Sequence, residues 1–92
     1  MDNIEKKPNK RATAVLLLRQ MINGQLPAQE AIDKWPKDSS DLLLNNIYGL
    51  LYHWRDDADI RKKDHRYYIW QKKQFEDLLT QLASGDEQQS EG

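Results

Sequence analysis

The chain contains no cysteine. That excludes disulfides, thiolate metal sites and cysteine nucleophiles, and it fits a reducing compartment. Long apolar runs are also missing. The longest, Ala14-Val15-Leu16-Leu17-Leu18, is five residues, where a helix needs about 20 to span a bilayer. Basic residues Lys6, Lys7, Lys10 and Arg11 precede this run as in a secretory leader, but Arg19 and Gln20 end it early and no small-residue cleavage site follows. A soluble, cytoplasmic protein with no membrane association is expected. Neither sign of charge dominates: 14 Lys and Arg against 15 Asp and Glu leave a net charge of −1, so no global field draws polyanions. No Gly-rich phosphate loop, G-x-S-x-G elbow or dinucleotide fingerprint occurs. No stretch alternates with period two, so no strand is expected.

What is present is helical punctuation. Ninety-two residues make one domain, and three Trp, four Tyr and one Phe supply large burial per residue for a small core. Residues 1–10 are polar and aperiodic and read as a mobile lead-in; the acidic segment 84–92 reads as a disordered tail. Between them, 11–83 is expected to fold. The spacing predicts a first helix over 11–23, closed by Gly24 as a left-handed cap. Its stripe is Ala14, Val15, Leu18, Met21 and Ile22; Leu17 lies at the flank, and Leu16 either widens the stripe, the favoured case, or meets something outside the domain. A second, short helix begins at Pro27 and carries Ala28, Ala31, Ile32 and Trp35 on one face, with Pro36 as its stop.

Asp38-Ser39-Ser40-Asp41 signals the start of a third helix. Around Ile47, the residues Leu43, Leu44, Leu50, Leu51 and Trp54 lie within about 60° at roughly 100° per residue. Leu42, Gly49 and Tyr52 fall on the reverse side, with Gly49 allowing a neighbour to approach. This helix is expected to be central. A last helix from Asp64 or His65 to Ala83 carries Tyr68, Phe75, Leu78, Leu79 and Leu82, with Ser84-Gly85 as its stop. The expected fold is all-α: a compact bundle of three long helices plus one short helix.

The densest polar segment is HWRDDADIRKKDH, His53 to His65. Asp57 and Asp59 open like a calcium loop, but Arg61 and Lys62 stand where a ligand and a glycine belong. His53 and His65 lack the helical spacing of a zinc pair. No metal, cofactor or catalytic residue is assigned. The aspartates alternate with cations, which favours their ordinary ionised form rather than the tuned protonation that acid–base catalysis requires. The protein is not expected to be an enzyme. The segment reads first as a doubly capped, solvated corner: Asp56 or Asp57 caps a short turn over 58–63, Asp64 caps the last helix, and Ile60 anchors the corner to the core. Beside it, Tyr52 to Trp70 is rich in the Trp, Tyr and Arg that carry binding energy at protein interfaces.

The order of elements resembles small all-helical bacterial proteins: a helix, then N-G-Q-L-P-A-Q-E-A (Asn23 to Ala31), a W-P break and a leucine-rich helix. Among these are the colicin D-type immunity proteins. His53 to Tyr68 is similar to a pattern recurring in short bacterial proteins of uncharacterised function. The resemblance covers about residues 12–82 and implies a protein that binds and blocks a partner without performing chemistry. It assigns no residue.

The expected function is therefore a non-enzymatic protein-binding module, immunity- or antitoxin-like, whose contact residues are Arg55, Asp57, Asp59, Arg61, Tyr67 and Trp70. The alternative is a nucleic-acid-binding domain using Arg61, Lys62, Lys63, Arg66, Lys72 and Lys73, with interleaved aromatics as stacking platforms. Leu16, Leu42 and Tyr52 also offer a surface for a homodimer.

Overall fold

A computed structural model describes the backbone of residues 9–91 and the side chains of residues 9–84. It is all-helical over these residues, with five helices where four were expected: α1 (Lys10–Ile22), α2 (Ala28–Lys34), α3 (Leu42–Asp56), α4 (Ala58–Lys63) and α5 (His65–Glu91). The additional helix is the corner itself. Asp59 in its first turn and Arg61, Lys62 and Lys63 in its last suit the helix dipole at both ends, so the expected turn closes into a short helix. α1 packs along α5, α2 lies on α3, and α4 folds back against α5.

Local signals set most boundaries. The Asn9 side chain accepts from the N–H groups of Arg11 and Ala12 and caps α1. Gly24 takes φ +80°, the left-handed conformation that turns the chain out of α1. Pro27 caps α2 rather than beginning it, and Trp35 lies just past its end with an extended backbone, because the residue before a proline is driven out of the helical region. Freed from the helix, the Trp35 ring is buried and its Nε1 donates to the Leu44 carbonyl at 3.1 Å. α5 continues past the stop expected at Ser84-Gly85; the Asp, Glu and Gln residues that follow include good helix formers. Of the two expected tails, residues 1–8 and the side chains of 85–92 lie outside the described residues.

The core consists of Ala14, Leu17, Leu18, Met21 and Ile22 of α1, Ala31, Ile32 and Trp35, Leu44, Ile47, Leu51 and Trp54 of α3, and Phe75, Leu78 and Leu82 of α5. Three expectations are corrected here. Leu17, not Val15, completes the α1 stripe, and Leu16 is 55% exposed rather than widening it. Gly49 is exposed, and nothing lies within 4 Å of where a Cβ would stand, so no neighbour uses its lack of a side chain. Ile60 is 46% exposed and anchors nothing.

The start of the bundle is fastened by one carboxylate. Asp41 Oδ1 accepts from the N–H groups of Leu43 and Leu44 and from Arg11 Nη2, while its Oδ2 accepts from Arg11 Nε at 2.8 Å. It caps α3 and ties α1 to it. The Arg11 guanidinium and the two backbone donors outweigh partial burial and hold the Asp41 carboxyl below the ordinary carboxylate range. Asp41→Ala is expected to lose about 2 kcal/mol, the sum of a cap and a two-point ion pair that is partly exposed. Asp41→Asn keeps the cap and is expected to lose roughly half as much. Because folding lowers this pKa, the ion-pair contribution is complete above the unfolded value near 3.9 and vanishes as pH falls through the folded value. Unfolding curves between about pH 5 and pH 2 should show that component in the wild type and not in Asp41→Asn.

Candidate interaction surface

The corner between α3 and α5 is built around polar atoms turned inward. Asp57, shared by the end of α3 and the start of α4, makes no side-chain cap. Its Oδ2 instead accepts from the Tyr67 hydroxyl at 2.5 Å and from Gln71 Nε2 at 3.1 Å. The other end of the Gln71 amide accepts from Arg61 Nη1 at 2.9 Å, and the same Nη1 donates to the Trp54 carbonyl at the end of α3. The Arg61 guanidinium lies 3.9 Å from the centre of the Trp54 ring, a cation–π contact. Partial desolvation lowers the Arg61 pKa, opposed by the charge of Asp57. Donation to the Asp57 carboxylate raises the Tyr67 phenol above its usual range.

Most of the corner is exposed as expected, but Asp57 and Arg61 turn inward where solvated groups were expected. Gln71 is only 2% exposed, and its two-ended amide bridges a carboxylate and a guanidinium that are themselves half-buried. Among the corner aspartates, Asp64 behaves as expected: its side chain accepts from the N–H groups of Arg66 and Tyr67 at the head of α5. Gln71 escaped sequence reasoning because a search for an apolar stripe passes over a buried polar residue. The signal was available in its place on the core-facing side of α5, four residues before Phe75.

The six expected contact residues therefore part company. Asp57, Arg61 and Tyr67 come together in the network. Trp70 stands next to them, 57% exposed, its ring 5.5 Å from that of Tyr67. Arg55 lies elsewhere on the corner: it donates to Asp56 and to Gln29 and sits over the Tyr52 ring. Asp59 is exposed, with no hydrogen bond or ion pair among the described residues.

Opposite the core, α5 presents Arg66, Ile69, Trp70, Lys73 and Asp77, all within about 60° of one direction on the helical wheel. Ile69 is 52% exposed beside Trp70, and these two with Lys73, Gln74 and Asp77 line a shallow depression of about 320 Å³. Of the expected nucleic-acid set, Lys62, Lys63 and Arg66 are exposed and form no ion pair among the described residues. Lys72 and Lys73 pair with Glu76 and Asp77 one turn on, and Arg61 is half-buried with its Nη1 held by Trp54 and Gln71. The homodimer candidates are dispersed: Leu16 and Leu42 are exposed, while Tyr52 is half-buried with its hydroxyl 3.0 Å from that of Tyr48.

Among the described residues no group of three His, Cys, Asp or Glu is placed to hold a metal ion, and no helix is long and apolar enough to cross a membrane. Comparison with known proteins found no matching family model, no similar curated protein and no similar solved structure.

Proposed function

We propose that this protein is a non-enzymatic binding module that recognises another protein through the outer face of α5, centred on Trp70. One observation carries the reading: a tryptophan and an isoleucine stand side by side in solvent on the face opposite the core, and the tryptophan is not loose. Its ring packs on Tyr67, whose hydroxyl is held by Asp57. An aromatic that is already ordered loses little side-chain entropy when a partner covers it, and Trp is the residue type most enriched at binding hot spots. In this reading Asp57, Arg61 and Gln71 brace the surface from behind and Trp70 meets the partner. An immunity- or antitoxin-like role, in which the chain occupies a partner's surface and carries out no reaction, accords with the resemblance in the order of its elements.

Affinity capture with the full chain tests this. Trp70→Ala is expected to weaken retention of any specific partner by tenfold or more, a hot-spot loss of about 2 kcal/mol. Leu42→Ala, which alters a still more exposed apolar side chain on α3, should leave it unchanged. Equal capture by wild type and Trp70→Ala would sink the assignment.

One observation favours a second reading, nucleic-acid binding: Lys62, Lys63 and Arg66 are free of ion pairs among the described residues, and Arg66, Trp70 and Lys73 share one stripe. Several phosphate contacts would make affinity fall steeply with salt. A titration with single-stranded DNA at about 20 mM salt, well below the range where such contacts are screened, should show binding that Lys62→Ala/Lys63→Ala/Arg66→Ala abolishes; a flat curve removes this reading.

A further inference from the structure

A second, larger concavity lies on the other side of the corner. It is an open groove of about 750 Å³, within the size range of ligand sites. One wall is the end of α1, the turn over residues 23–27 and the start of α2; the other is Trp54, Arg55, Ala58 and Arg61, with Tyr68. Its walls are largely apolar, and no carboxylate lines it. Its charged groups are two arginines. Each is held in place by some of its donors and leaves others uncommitted. Arg55 uses Nε on Asp56 and Nη1 on Gln29. Arg61 uses Nη1 alone, on Trp54 and Gln71. Arg55 Nη2 and Arg61 Nε and Nη2 have no hydrogen-bond partner among the described residues, although each guanidinium lies over an aromatic ring.

From this geometry we infer that the groove binds the free C-terminal carboxylate of a polypeptide whose last residues are apolar. Three features select that ligand. Two pinned guanidiniums on a wall without acidic groups favour an anion, and Arg forks match carboxylates. Asp56 at 3.0 Å from Arg55 and Asp57 near Arg61 already offset much of the positive charge, which suits a single negative charge better than a phosphate dianion. The third feature is the turn. The Leu26 N–H and the carbonyls of Asn23, Gly24 and Gln25 have no hydrogen-bond partner among the described residues. They leave one donor and three acceptors along this wall to hydrogen-bond the main chain of a bound peptide. An alkyl carboxylate would satisfy the arginines and leave those groups untouched.

The three tryptophans make the test spatially resolved, since Trp54 lines the groove, Trp70 stands on the outer face of α5 and Trp35 is in the core. The ¹⁵N-labelled full chain is titrated with acetyl-Gly-Ala-Val-Leu carrying a free carboxylate, with its C-terminal amide, and with octanoate. The free acid is expected to shift the Trp54 indole signal and the backbone amides of residues 24–28 saturably. The amide, octanoate and the free acid on Arg55→Gln should each bind about tenfold more weakly, the effect of losing a charged hydrogen bond or the main-chain contacts. No shift at Trp54 up to about 10 mM, beyond the weakest affinity that a specific site implies, overturns the inference. So does equal binding of the amide or of octanoate, or a response confined to Trp70. That last outcome would leave the α5 surface standing while removing the groove, so the two assignments fail separately.

Discussion

Phe75→Ala is expected to destabilise the fold by about 3–5 kcal/mol, the range for deleting a fully buried aromatic. Phe75 has no exposed surface and meets the Trp54 ring edge-on, centroids 5.1 Å apart. It is the point where α5 engages the end of α3, and in a small domain few other side chains can move in to fill the space. A domain of this size holds only about 5–15 kcal/mol of net stability, so the variant should unfold at markedly lower urea with an unchanged slope. Phe75→Leu, which keeps most of the volume, is expected to lose about 1–2 kcal/mol and provides a measurable point if the alanine variant does not fold. A loss under about 1 kcal/mol for Phe75→Ala would show that the α3–α5 contact is not built as described.

Arg61→Ala should be next in size, at about 2–3 kcal/mol. The figure is less than the loss on breaking a fully buried ion pair, because Arg61 retains some exposure. The loss has two sources. The Trp54 ring loses the guanidinium stacked on it. Gln71, almost wholly buried, is left with its carbonyl oxygen unpartnered, and orphaned polar groups are expensive. Arg61→Lys keeps the charge but cannot both stack and donate in the same geometry, so most of the loss should remain. Arg61→Met combined with Gln71→Leu removes donor and acceptor together; its loss should fall short of the sum of the single changes by about 1 kcal/mol. Strict additivity in chemical unfolding would mean that the two side chains do not act as a unit.

These two residues show what kind of information was legible in advance. Phe75 belongs to a period that any helical wheel reveals, and its burial follows from an apolar side chain at i, i+3, i+7 spacing. Arg61 does not. It is one of four consecutive positions, Ile60 to Lys63, whose types suggest an apolar anchor and three solvated cations. The structure does the reverse, exposing Ile60 and drawing Arg61 in. The reason is geometric: a short helix set at the head of α5 turns position 61 toward Trp54 and Gln71 and position 60 outward. Sequence spacing carries no information about that rotation. Arg11 and Asp41, 30 residues apart, met for the same kind of reason. The stretch Asp38 to Asp41 was recognisable as a helix start, but the structure selects Asp41 as its cap, and nothing local announces a guanidinium from another helix.

What the amino-acid order determined alone was therefore everything with a short range. It set the helical class, the left-handed turn at Gly24, the stop at Pro36, a helix start within Asp38 to Asp41, the cap at Asp64, and most of the buried leucines. Each depends on dihedral preferences or on contacts within a turn or two of chain. The docking of helices decided the rest: which polar groups of the corner face inward, which aromatic is left in water, and that two arginines share a groove with the α1–α2 turn. Those outcomes depend on the relative rotation of packed elements. That rotation is settled by the summed fit of many side chains distant in sequence, and no single stretch of the chain encodes it.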